Sequence, residues 1–293
     1  MKKSQEQNSI IEVLTKNSSI PHFDAEILLS FVLNKSREYI ISHPEIILTS
    51  TQITKFQKFI NRRKDNEPVA YLTGHKEFYG LDFLVNKHTL IPRPETELII
   101  DKTMDLISGD LTNTNIIDVG TGSGCIIITL AKLLKNKNIQ FFGIDISPQA
   151  LQIAKKNAKS HHLNSYIKFI KGNLLQPILK HKKLLITNSK FLITANLPYL
   201  TPAQIKSSPS IQHEPKLALI AGDDGLKYYR QLFKQIKELK KLSPKSQISI
   251  LCEIDHTQTK KIKQLIKDKL PLAKFNVIKD LGGYDRLVLI SIE

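Results

Sequence analysis

From residue 115 to the C-terminus, apolar runs of strand length alternate with amphipathic stretches of helical length, and this rhythm restricts the chain to few architectures. Strands are expected over residues 115–119, 140–144, 166–170, 191–195, 247–253, 274–278 and 286–292. Helices are expected over 126–134, 148–160, 226–242 and 257–270. Strand and helix in alternation imply a parallel α/β sheet, and the last two strands, with no helix between them, close it as a hairpin. An open sheet of this kind binds ligands at the carboxyl ends of its strands.

Three strand ends carry chemistry. The first strand runs into Asp118-Val119-Gly120-Thr121-Gly122-Ser123-Gly124. Glycines at alternate positions let the backbone turn tightly and approach a ligand closely. The dinucleotide fingerprint would need a further glycine at position 125, where Cys125 stands. The loop therefore favours S-adenosyl-L-methionine, whose amino-acid and sulfonium ends carry no phosphate, with Gly120, Thr121, Gly122, Ser123 and Gly124 as its contacts. The second strand ends at Asp145, a carboxylate able to accept both ribose hydroxyls of an adenosine. The third leads to Asn173 and Leu174, an amide for the adenine amine and an apolar surface for the ring.

The fourth strand ends in Asn196-Leu197-Pro198-Tyr199. The Asn196 side-chain oxygen can accept one N–H of a planar NH2 group, and the carbonyl of residue 197 the other. Pro198 fixes the φ of the turn, and Tyr199 offers a flat face for stacking. Such a site suits methylation of an exocyclic amine or a side-chain amide. Asn196 also borders the donor.

Upstream, residues 1–73 read as helical, with apolar stripes at Ile10, Ile11, Leu14 and at Ile27, Leu28, Phe31, Val32. Asp24 is expected to cap the second of these helices, and a third is expected over residues 51–63. No catalytic constellation occurs here, which suits partner recognition. Residues 74–92 hold aromatic and β-branched residues around Gly80, the pattern of a hairpin joining two domains. The segment Ile91-Pro92-Arg93-Pro94-Glu95-Thr96-Glu97 then opens a helix, with Pro94 in its first turn and acids on its dipole.

Composition narrows the function classes. No apolar stretch reaches membrane-spanning length, and the first eight residues lack the apolar centre of a signal peptide. Cys125 and Cys252 lie far apart, which excludes a disulfide framework or a zinc site and fits core thiols in a reducing cytoplasm. No metal is expected. The net charge of +16 comes from 43 basic residues, of which only six are arginine. The lysines are spread along helices, and aromatics do not interleave with them, so a nucleic-acid surface is not expected. The basic stretch His181-Lys182-Lys183 is expected in a loop before the fourth strand end.

With these motifs in place the chain resembles, nearly end to end, the N5-glutamine methyltransferases of peptide-chain release factors. Besides residues 91–97, 118–124 and 196–199, the markers are Glu214-Pro215, Ala218-Leu219, Gly222-Asp223-Asp224-Gly225-Leu226 and Tyr229-Arg230. The resemblance implies methyl transfer from S-adenosyl-L-methionine to the glutamine amide of a release factor's Gly-Gly-Gln loop. It also implies a Rossmann-like class I methyltransferase sheet of seven strands in residues 93–293. A helical N-terminal domain (1–73) and a β-hairpin linker (74–92) precede that sheet. The family usually carries Asn-Pro-Pro-Tyr. Leu197 keeps the carbonyl, loses the restriction on φ and adds a backbone N–H. Asn-Leu-Pro-Tyr is also how ribosomal RNA adenine dimethyltransferases write the motif, so an RNA or DNA adenine is the rival substrate. A donor-binding module without activity is the third reading.

Overall fold

The computed structural model describes residues 8–16, 19–107, 113–135, 139–180, 189–206 and 208–293. They form two compact units. The first comprises the described residues up to His75 together with Pro209–His213, and the second comprises the rest. The basic stretch at 181–183 lies outside the described residues.

The first unit is helical: α1 (Ile10–Lys16), α2 (His22–Leu33), α3 (Arg37–Ser42), α4 (Ser50–Lys64) and α5 (Val69–Thr73). Of the expected stripes, Ile10, Leu14 and Leu28 lie in its core with Leu29, Ile40, Phe56 and Ile60, whereas Ile11 and Phe31 are exposed. Thr49 and Gln52 form a reciprocal capping box at the start of α4, satisfying two backbone donors that a helix start leaves orphaned. The expected cap at Asp24 is not found. Pro21 holds the N-cap position of α2 without a side-chain bond, and Asp24 lies inside the first turn. There it accepts a hydrogen bond from Arg63 Nε at 2.8 Å. A carboxylate at that place still favours the helix dipole, so the ion pair and the dipole act together.

The second unit begins at Lys76, within a hairpin of β1 (His75–Phe78) and β2 (Leu81–Leu84). Its two turn residues, Tyr79 and Gly80, have φ of 52° and 70°, the handedness that matches the twist of paired strands. Phe78 and Phe83 are buried among Ile99, Ile100 and Ile128. A single 3-10 turn, Pro94–Thr96, leads into α6 (Glu97–Leu106), and Glu97 accepts the Tyr79 N–H at 2.7 Å. Leu84 exchanges two hydrogen bonds with the Asn157 side chain, 2.8 Å to its oxygen and 3.0 Å from its nitrogen.

The remaining elements alternate as expected: β3 (Thr114–Val119), α7 (Cys125–Leu134), β4 (Ile139–Asp145), α8 (Pro148–Ser160), β5 (Ile167–Lys171), α9 (Gln176–Lys180), β6 (Lys190–Ala195), α10 (Pro202–Lys206), α11 (Lys227–Leu242), β7 (Gln247–Glu253), α12 (Thr259–Lys269), β8 (Lys274–Lys279) and β9 (Asp285–Ile292). The sheet order is β5-β4-β3-β6-β7-β9-β8. β3 to β7 pair in parallel, and β9 runs antiparallel between β7 and β8. Expectation missed α3, α5, α9 and α10, each six residues or fewer, too short to show a helical period. No described helix is long and apolar enough to cross a membrane.

One consequence of the order positions the site. From β3 the chain moves outward through β4 and β5, then returns to the other side of β3 as β6. Direction reverses between β3 and β6, and at such a switch point the loops leaving the two strands part and leave a crevice. Val119 pairs with Ala195, so Gly120 and Asn196 leave the sheet side by side.

Candidate active site

An open cleft of about 920 Å3, counted to its mouth, lies over these strand ends. Of the residues singled out in the sequence, Gly120, Gly122, Asp145, Asn173, Leu174, Asn196, Leu197 and Pro198 line it. Thr121, Ser123, Gly124 and Tyr199 are not among its lining residues.

Those four hold the walls from behind. Thr121 turns inward and donates its hydroxyl proton to Asp118 Oδ2 at 2.6 Å, while Thr194 donates to Oδ1 at 2.8 Å. The two donors tie the glycine loop to β6 through one buried carboxylate. Burial pushes that carboxyl up to about 6, against the two hydrogen bonds that favour its charge. The Ser123 carbonyl accepts from Asn157 Nδ2 at 2.8 Å. Gly124 is the N-cap of α7. Gly120 has a φ of +74°, and a Cβ built on it would meet Leu197 Cδ2 at 3.1 Å. The loop and the Asn196–Tyr199 motif are therefore in contact, and a side chain at 120 would narrow the cleft.

Asp145 holds the loop from the other side. Its Oδ2 accepts the Gly122 N–H at 2.9 Å, and Oδ1 accepts the Ser147 N–H at 2.8 Å. Burial raises its pKa, while backbone hydrogen bonds from Ser147, Gly122 and Ile146 oppose the rise. The carboxylate keeps acceptor capacity for a further donor. Beyond β5, Leu174 sits at φ +54°, a left-handed conformation that an L-residue avoids. Gln235 on α11 holds it there: Leu175 N–H donates to Gln235 Oε1 at 2.7 Å, and Gln235 Nε2 donates to the Asn173 carbonyl at 3.3 Å.

At the motif, Asn196 Nδ2 donates to Thr96 Oγ1 at 2.9 Å. Thr96 in turn donates to Glu253 Oε2 at 2.7 Å. Tyr199 donates its hydroxyl proton toward Glu253 Oε1 at 3.5 Å. Among the described residues, Asn196 Oδ1 accepts no side-chain hydrogen bond and the Leu197 carbonyl accepts none from the backbone. The N–H that Leu197 carries, and proline would lack, faces the hydroxyl oxygen of Tyr229. Tyr229, fully buried, donates to the main-chain carbonyl of Glu253, with the Ala195 carbonyl also in reach at 3.3 Å. Burial pushes the Glu253 carboxyl up to about 7, opposed by the Thr96 hydrogen bond and by Arg286.

Sequence reasoning passed over Thr96 and Glu253. The signal for Glu253 was its place as the last residue of the strand expected over 247–253, a carboxyl end beside Ala195. Thr96 was marked only as part of the 91–97 segment, with no role of its own. Glu214, one of the markers of the resemblance, is buried. It accepts the Ile91 N–H at 3.0 Å and pairs with the Arg93 guanidinium, binding the 91–93 segment to the 214–218 segment that borders the cleft. Glu95 contributes a repulsive charge near Glu253. Both cysteines are buried and unpaired, and burial pushes Cys125 up to about 12, so it is not a nucleophile near neutral pH.

A seven-stranded sheet of this order, a glycine loop after its central strand and a cleft at the reversal of strand order define a class I methyltransferase. Residues 110–271 match a family profile described as a methyltransferase domain, and residues 7–74 match one described as the PrmC N-terminal domain. The catalytic domain of hMettl16, solved in complex with the MAT2A 3'UTR hairpin 6, shares the fold. It has a TM-score of 0.55 at 16% identity, covering 89% of this chain and 91% of that one. The release factor glutamine methyltransferase of Bacillus anthracis is 36% identical over 274 residues, 92% of each chain. That of Bacillus subtilis (strain 168) is 33% identical over 274 residues, 92% of this chain and 90% of the other. The chain belongs to the family of release factor glutamine methyltransferases.

Proposed function

We propose that this protein transfers a methyl group from S-adenosyl-L-methionine to the side-chain amide nitrogen of the glutamine in the Gly-Gly-Gln motif of peptide-chain release factors, in the cytoplasm. The observation that carries this reading is the pair of acceptors at one strand end. Asn196 spends its NH2 on Thr96, and its oxygen and the Leu197 carbonyl are left for a group with two N–H donors. A primary amide is such a group.

The residues fit the donor. The glycine loop approaches closely at Gly120 and Gly122, Asp145 can accept ribose hydroxyls, and Asn173 and Leu174 offer an amide and an apolar face for adenine. Bound there, the donor supplies an electrophilic methyl group on a sulfonium. The protein's part is orientation. An amide nitrogen is a weak nucleophile, because its lone pair is delocalised into the carbonyl. Acceptance of both N–H groups by Asn196 and Leu197 raises electron density on that nitrogen and fixes its direction of attack. As positive charge builds on the nitrogen, both hydrogen bonds strengthen, so the transition state gains more than the ground state. Tyr199, tethered to Glu253, supports the turn that presents the two acceptors.

Labelled S-adenosyl-L-methionine, incubated with the protein and either release factor or ribosomal RNA, tests the reading. Label is expected in the release factor alone. Label in the RNA would overturn the protein substrate, and label in neither would favour a non-catalytic module. Asn196→Ala is expected to reduce methylation to a residual rate readable only in single turnovers, while leaving donor affinity within about threefold, since donor contacts are spread over other strand ends. Equal loss of both would make Asn196 a structural residue.

A further inference from the structure

We propose that Thr96 and Glu253 are positioning residues that decide which atom of the Asn196 amide faces the substrate. The inference rests on the reading of Asn196 as an acceptor for the substrate amide. It follows from counting protons. A threonine hydroxyl has one proton to give. Thr96 gives it to Glu253 Oε2 at 2.7 Å. Its oxygen can then only accept, and what it accepts is the Asn196 Nδ2 proton at 2.9 Å. The carboxylate, two bonds away, thereby holds the nitrogen of Asn196 on Thr96 and its oxygen away from it.

Remove that constraint and the amide is free to turn over. Thr96 could donate to Asn196 Oδ1, and the cleft would then meet an NH2 instead of an oxygen. Two N–H donors face to face repel, whereas an NH2 beside the Leu197 carbonyl would hold a substrate carbonyl instead. The committed proton of Thr96 therefore selects the nitrogen end of an incoming amide over its oxygen end. A site whose polar groups are fixed in this way discriminates strongly, because the wrong orientation leaves groups unpaired.

The surroundings suit such a role. Thr96 is 2% and Glu253 1% exposed, so bulk water does not compete for either. The second carboxylate oxygen of Glu253 faces the Tyr199 hydroxyl, so a single side chain holds two members of the 196–199 motif. Its own main chain is fixed by the Tyr229 hydroxyl and by strand pairing, with Cys252 opposite Ala195. Thr96 comes from the 3-10 turn Pro94–Thr96, Asn196 follows β6 and Glu253 ends β7.

The test is a double-mutant cycle read by kinetics. Thr96→Val keeps the shape and removes both roles of the hydroxyl, whereas Thr96→Ser keeps them. Thr96→Val is expected to lower kcat/KM for the release factor by about 10- to 100-fold, the usual scale for a misoriented reacting group. Donor affinity is expected to hold within about twofold, and Thr96→Ser to recover activity within about threefold. In an Asn196→Ala background, followed by single-turnover transfer of radiolabel, Thr96→Val is expected to cost nothing further. Glu253→Leu removes both acceptor oxygens, so Thr96 is free to donate to Asn196 instead. It is expected to show the same loss and the same silence beside Asn196→Ala, and it serves if the valine variant does not fold. An equal loss in both backgrounds, or no loss from Thr96→Val, would overturn the relay. Retention of activity by Asn196→Ala alone would instead overturn the acceptor reading beneath it, so the two failures are distinct.

Discussion

Gly225 lies 26 residues beyond Tyr199 in the chain, in the Gly222–Leu226 segment, yet it touches the motif. Its φ is +72°, and a Cβ built there would stand 2.2 Å from the Tyr199 carbonyl oxygen and 2.0 Å from Gln258 Nε2. Gln258 Nε2 itself donates to that same carbonyl at 2.8 Å. Gly225→Ala therefore acts twice. The left-handed backbone costs an alanine about 1–2 kcal/mol. Relief of the contacts requires a movement of about 1 Å and breaks the hydrogen bond, leaving a partly buried carbonyl short of a partner at about 1–3 kcal/mol. The expected loss is about 2–5 kcal/mol in urea unfolding, the sum of the two. Because Tyr199 follows Pro198 and Leu197 directly, a shift of this size also moves the acceptors. Displacements of about 1 Å cost about 100-fold in rate, read as kcat for release-factor methylation. Gly283 is the control. It has a φ of +81°, and a Cβ built there would meet no atom within 4 Å. Gly283→Ala is expected to cost only the backbone term, about 1–2 kcal/mol, and no activity. If the two alanine variants match in stability and in rate, close approach at Gly225 is not what holds the motif.

Three further outcomes follow from the site. Asp145→Ala removes the acceptor for the ribose hydroxyls and the anchor of the Gly122 N–H. Donor affinity by titration calorimetry is expected to fall about 100-fold or more, at about 1.5–3 kcal/mol for each charged hydrogen bond lost. A loss under about threefold would place the donor elsewhere. The Glu253 carboxyl, raised from 4.5 to about 7 mainly by burial, is faced by Arg286, Glu95 and Tyr199. It accepts from Thr96 as the anion, so wild-type activity is expected to fall as pH drops through about 7, and Glu253→Gln to lack that limb. Stability runs the other way. Between 4.5 and about 7 the folded state holds a proton that the unfolded state has released, so the contribution of this group declines as pH rises. Urea midpoints are expected to favour Glu253→Gln over wild type more at pH 8 than at pH 5.5, and a pH-independent difference would refute it.

Much of this architecture was legible in the chain because its signals are local. Apolar runs such as Phe191–Ala195, the Gly120-x-Gly122-x-Gly124 loop and Asp145 at a strand end depend on residues within a few positions of each other. Their sequence alone determined a parallel sheet with a terminal hairpin, and ligand chemistry at its carboxyl edge. The short helices escaped because a turn or two has no period to read. Asp24 escaped because a carboxylate near a helix start can cap it or pair across to another helix, and only the position of Arg63 decides. The same holds at the site. Asn196 meets Thr96 at a separation of 100 residues, Thr96 meets Glu253 at 157 and Arg93 meets Glu214 at 121. The sequence named the amide that faces a substrate. The direction of that amide was decided only when the order of β6 and β7 brought a carboxylate within reach of Thr96, because a hydroxyl with one proton takes its orientation from whichever acceptor the folded chain sets beside it.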